Sequence, residues 1–98
     1  MPGSLVDRSG SITVGGTSQQ LAAAKSQRQH LFIQNLSSEN LWINFGVAAV
    51  ADQPSIRIEP GASYVAGPRE HEGEYVTPLA VNIIGATTGS KFTAKEVI

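Results

Sequence analysis

The sequence predicts an all-β chain folded as an antiparallel β-sandwich or jelly roll of about eight short strands. Three observations predict it. Apolar residues recur at every second position in 31–35, 41–45 and 91–96, the spacing that sends successive side chains to opposite faces of a sheet. Turn punctuation such as Gly15-Gly16, Pro60-Gly61 and Gly85 to Gly89 interrupts the chain at short intervals. No segment sustains the 3.6-residue apolar period of an amphipathic helix.

A length of 98 residues suits one domain with one core. That domain is expected over 11–98. Residues 1–10 are rich in Gly, Ser and Pro, with Leu5 and Val6 as the only anchors, and read as a flexible N-terminal arm that orders when a partner holds it. Its deletion is expected to weaken partner binding and spare the fold.

Residues 11–14, Ser-Ile-Thr-Val, read as the first strand. Residues 17–24 carry conflicting signals: Thr17 and Gln20 imitate a capping box and 21–24 favour helix, yet a short segment between strands is easily overruled by tertiary pairing, so it is read as extended. In 29–35, Leu31 and Ile33 share one face and Phe32 and Gln34 the other, and the polar residues 36–40 form a turn. Leu41, Ile43 and Phe45 then oppose Trp42 and Asn44, which reads as the second arm of a hairpin. Trp42 is either second-layer core or contact surface, both common uses of tryptophan.

Residues 47–51 are small and apolar and read as a loop or weak edge. Ile56 and Ile58 alternate with Arg57 and Glu59 in a half-buried strand ended by Pro60-Gly61, and 63–65 form another. Residues 67–73 form the most polar loop. Residues 80–84, with adjacent Ile83 and Ile84, read as a strand covered on both faces, and 91–96 as the last strand.

Composition narrows the function classes. A charged fraction of 15% is low against about 25% in ordinary domains, so much of the surface is uncharged, which suits contact with other protein. A net charge of −1 without clustered Lys and Arg removes the electrostatic case for nucleic-acid binding. Lys25, Arg28 and His30 are the nearest approach to a basic patch and read as a solvated loop. Cysteine is absent, which excludes disulfides and thiolate metal sites. Neither a basic, apolar leader nor a run near the ~20 apolar residues of a membrane span occurs, so the expectation is a soluble product with no membrane partner.

Motifs with chemistry in them are weak. Gly85-Ala-Thr-Thr-Gly89-Ser-Lys91 imitates a phosphate loop, but three residues instead of four separate the glycines, Ser90 intervenes and a strand follows where the motif needs a helix N-terminus. Glu70, His71, Glu72 and Glu74 could offer metal ligands, although neighbours on one loop seldom converge on an ion. Two histidines and no Gly-x-Ser-x-Gly elbow give little basis for a hydrolase triad. The expectation is no enzyme, no cofactor and no metal.

Arg28-x-x-Leu31-x-Ile33-Gln34-Asn35, Leu41-Trp42-Ile43-Asn44-Phe45-Gly46, Ser55-Ile56-x-Ile58-x-Pro60-Gly61-x-Ser63-Tyr64, and 81–89 with 91–96 together carry a resemblance. The chain resembles small virion structural proteins of tailed bacteriophages, from Ser11 onward, and departs from them in 22–29 and 69–74. The resemblance implies a β-sandwich that binds the outside of a capsid, commonly as a homotrimer at three-fold positions, and cements neighbouring capsomers of the major capsid protein. A protein of that kind is made in the host cytoplasm and ends on the virion surface. The residues expected to meet partners are Leu5, Val6, Arg28, Trp42 and Tyr64. A tail, fibre or vertex attachment module is the alternative, and a carbohydrate-binding sandwich using Trp42, Tyr64 or Tyr75 as stacking platforms is a third.

Overall fold

A computed structural model describes residues 3–67 and 75–98. Among these residues there are nine strands and no helix: β1 (Leu5–Asp7), β2 (Gly10–Ser11), β3 (Gln19–Ala22), β4 (His30–Asn35), β5 (Leu41–Phe45), β6 (Ile56–Ile58), β7 (Ser63–Ala66), β8 (Val81–Gly85) and β9 (Lys91–Val97). All pairings are antiparallel. One sheet has the order β1-β9-β4-β7, with β2 also on β9, and the other the order β3-β8-β5-β6.

Strands β1 and β2 lie on the same edge of β9, Leu5–Asp7 against Val97 to Lys95 and Gly10–Ser11 against Phe92 and Lys91. Counted as one interrupted strand, they leave two four-stranded layers, and successive strands cross between layers at every step except β5 to β6. That order is the connectivity of a jelly roll, a sandwich built from two Greek keys. The predicted fold class is therefore the observed one.

Alternation sets the core. Leu31 and Ile33 of β4, Leu41 and Ile43 of β5, Val81 and Ile83 of β8, and Phe92 and Ala94 of β9 point between the sheets and are buried. Ile12, Leu21, Ala22, Ile58, Ala66 and Val76 complete the cluster. β3 bears out the extended reading of 17–24: its register shift between Gln20 and Ala22 lets both Leu21 and Ala22 be buried.

Three expectations need correction. The described part of the supposed N-terminal arm is a sheet edge, fastened by β1, by Ser4 N–H to Ile98 O at 2.9 Å and by Arg8 N–H to Ala94 O at 2.7 Å. Residues 11–14 are not one strand: pairing stops at Ser11, after which Ile12 drops into the core. The turn at 36–40 does not close a hairpin, because β4 and β5 belong to different sheets.

Asn35 builds that corner. Its side chain is fully buried and fully used: Nδ2 donates to Glu39 O at 2.6 Å and Ile58 O at 2.8 Å, while Oδ1 accepts from Ser37 N at 2.8 Å and Ser37 Oγ at 2.7 Å. Four partners in one amide saturate its hydrogen-bonding capacity. The loop is thereby tied to β6 as the chain passes from one sheet to the other.

Gly85 and Gly89 have different duties. A Cβ on Gly85 would lie 2.6 Å from Leu41 Cδ2 and 3.1 Å from Ile12 Cγ1, so a side chain is excluded by packing. Gly89 has φ of +91° with open space around it and is required by backbone conformation alone.

Candidate functional site

The predicted contact residues do not converge. Leu5 is 67% exposed on the outer face of the first sheet, whereas Val6 faces inward opposite Glu96. Trp42 lies on the outer face of the other sheet, across the sandwich from Leu5. Tyr64 points inward, packed against the core with its ring 5.8 Å from that of Phe45 in a tilted arrangement. Burial and the neighbouring Tyr75 phenol raise its hydroxyl pKa above the ordinary tyrosine value. Tyr64 is thus a rim of the core instead of a platform for a ligand.

Arg28 requires the largest correction. It is wholly buried, not part of a solvated basic patch. Nε donates to Glu96 Oε1 at 2.7 Å, Nη1 to Thr77 O at 2.6 Å and Leu79 O at 2.9 Å, and Nη2 to Ala23 O at 2.7 Å. The other Glu96 oxygen accepts from Arg8 Nε at 2.7 Å. Burial alone would raise the Glu96 pKa, but hydrogen bonds and charge from Arg28 and Arg8 outweigh it and hold the carboxyl below its ordinary value. Among the described residues no buried side-chain N or O lacks a partner. The group is a structural clasp linking the β1 edge, β9, the end of β3 and the segment before β8.

Two surfaces remain. On the outer face of the first sheet, Leu5, Val97, Phe32 and Val65 form a diagonal across β1, β9, β4 and β7. Val65 is 55% exposed. Lys95 and Asp7 flank the diagonal and approach at 3.6 Å.

The second surface is a groove of about 720 Å³ on the outer face of the other sheet, within the range of small-molecule sites. Cross-strand neighbours Trp42 and Ile84 lie at its base. Val50, Ala51 and Pro60 supply further apolar wall, and Ser38, Glu39 and Asn40 from the corner loop supply a polar rim. Thr87 Oγ1 donates to Glu39 Oε2 at 2.8 Å and fixes the carboxylate. The alternation around Trp42 was visible in sequence. The rim was not, because it reaches Trp42 only through the Asn35 corner.

The loop with Glu70, His71, Glu72 and Glu74 lies outside the described residues. Among the described residues, no group of three His, Asp or Glu side chains is placed to hold a metal ion, and no helix is long and apolar enough to cross a membrane. Comparison of the chain with protein-family models, with curated proteins and with solved structures finds no match in any of the three.

Proposed function

We propose that this chain is a non-enzymatic decoration protein of a tailed-phage head, which binds the outer surface of the shell formed by the major capsid protein and acts there as a homotrimer. The observation that carries the reading is the apolar diagonal of Leu5, Val97, Phe32 and Val65 on an otherwise hydrophilic sheet face. A face of this kind gains by being covered with protein. Strands β7 and β6 end the two sheets among the described residues, and each presents an apolar side chain to solvent, Val65 and, at 39% exposure, Ile56. Such edges suit lateral contact between copies. The jelly roll serves in viral capsid and lectin domains alike, and by itself it assigns neither role.

The mechanism in this reading is mass action. A ligand that binds only the assembled shell stabilises that state by its free energy of association, and many copies sum. The test is co-sedimentation of the purified chain with tailed-phage heads from its source, with quantitative mass spectrometry of native particles. Copy numbers matching the shell subunit support decoration, and loss of binding in Phe32→Asp and Val65→Asp assigns the face. A handful of copies per particle would move the protein to the tail or vertex, and its absence from particles would reject a virion role.

A further inference from the structure

We infer that the Trp42–Ile84 groove is a binding site for a neutral pyranose sugar. The inference stands on the groove and does not depend on the capsid reading.

A pyranose is amphipathic in a particular way, with a face of C–H groups and an equator of hydroxyls. The groove has the matching asymmetry. Trp42 lies at its base beside Ile84, its cross-strand partner, and an indole offers the broad apolar surface on which a C–H face stacks. Ser38, Glu39 and Asn40 follow one another along the rim and provide a hydroxyl, a carboxylate and an amide, a set that can both accept from and donate to sugar hydroxyls. Among the described residues neither the Ser38 hydroxyl nor the Asn40 amide is engaged in a hydrogen bond. The Glu39 carboxylate is held in place by Thr87, so it is preorganised without being consumed.

Charge selects within the class. Among the described residues Glu39 is the only ionisable side chain in the lining, and the charge of Arg57, the cross-strand neighbour of Trp42, is paired with Glu59 at 3.1 Å, so the groove disfavours sialic acids, uronic acids and phosphorylated sugars. The volume of about 720 Å³ accommodates one or two rings. The three rim residues all come from the β4–β5 corner, so their spacing is fixed by the buried Asn35 amide that ties the corner down.

The chain has one tryptophan and two tyrosines, so emission excited at the red edge, where tyrosine does not absorb, reports on this groove alone. The experiment titrates the full chain with glucose, galactose, N-acetylglucosamine, maltose and lactose, with sialic acid as the anionic control, and maps binding by amide chemical shifts. The expected result is a saturable emission change with at least one neutral sugar, shifts confined to the surroundings of residues 38–42 and 84–87, and no response to sialic acid. Trp42→Ala should abolish binding. Because that variant can disturb the sheet, Asn40→Ala and Thr87→Val provide the exposed-rim controls: each should weaken binding roughly tenfold with an unchanged melting temperature. No saturable change with any neutral sugar, shifts located elsewhere, or a Trp42 response elicited only by shell protein would overturn the inference.

Discussion

Arg28 Nε donates to Glu96 Oε1 at 2.7 Å inside the sandwich, and neither side chain reaches solvent. A buried ion pair of this kind adds little net stability over an apolar replacement, but its rupture strands a charge. Here the guanidinium also occupies three backbone carbonyls, at Ala23, Thr77 and Leu79. Arg28→Ala and Glu96→Ala should each destabilise the fold by about 3–5 kcal/mol. Urea denaturation of the two variants measures this, and losses under about 1 kcal/mol would deny the clasp its role.

The same carboxylate sets an acid dependence. Glu96 titrates below its ordinary value of 4.5 when folded, so the folded chain binds fewer protons than the unfolded one and the stabilisation is complete above that value. Stability should fall as the pH drops below 4.5 and through the lower folded-state pKa. Melting temperatures from neutral to strongly acid pH should show that drop, and Glu96→Gln should flatten it. Asp7, whose pKa the Ser9 hydrogen bonds lower, contributes to the acid dependence left in the variant.

Removal of residues 1–9 should destabilise the fold, contrary to the behaviour of a free arm. The truncation strips β1 from the edge of β9 and takes away Arg8, which holds one Glu96 oxygen. The exposed β9 edge then becomes a template for strand pairing. Thermal melts and light scattering should show a lower transition and new self-association. A truncated chain as stable and monodisperse as the intact one would contradict the edge assignment.

Gly85→Ala should cost about 1–3 kcal/mol through overpacking against Leu41 and Ile12. Gly89→Ala meets no atom within 4 Å, so its cost should come from the positive φ alone, about 1 kcal/mol. Adding Leu41→Ala to each distinguishes the mechanisms: it should relieve the Gly85 variant and leave the Gly89 variant unaffected.

Asn35→Leu keeps approximate size and removes the four side-chain hydrogen bonds of Asn35. Ile58 O and Ser37 N lose the amide as a partner, whereas Glu39 O keeps Ser37 Oγ at 2.9 Å, so the cost is about 1–3 kcal/mol for each group left buried and unsatisfied. Chemical denaturation gives the size of the loss, and sugar titration of the variant reports whether Ser38, Glu39 and Asn40 keep their places.

The sequence by itself determined the β class, most strand positions and the inward and outward faces, because a period of two is a local property that side-chain burial must obey. Leu31, Ile33, Leu41, Ile43 and Ile83 were readable as core on that ground, and all are buried. Only the tertiary structure decided which strands are neighbours. The 36–40 turn looks the same in sequence whether it closes a hairpin or crosses between sheets, and the buried Asn35 amide selects the crossing. Arg28 was misread for a related reason: its partner Glu96 lies 68 residues away, and proximity along the chain with Lys25 and His30 suggested a solvated patch. Likewise, Trp42 stood out as an aromatic on an outer face, but Glu39, Asn40 and Thr87 become its neighbours only when two inter-sheet corners fold over the same end of the sheet. Local alternation is written in adjacent residues, whereas ion pairing, corner geometry and grooves depend on long-range closure of the chain.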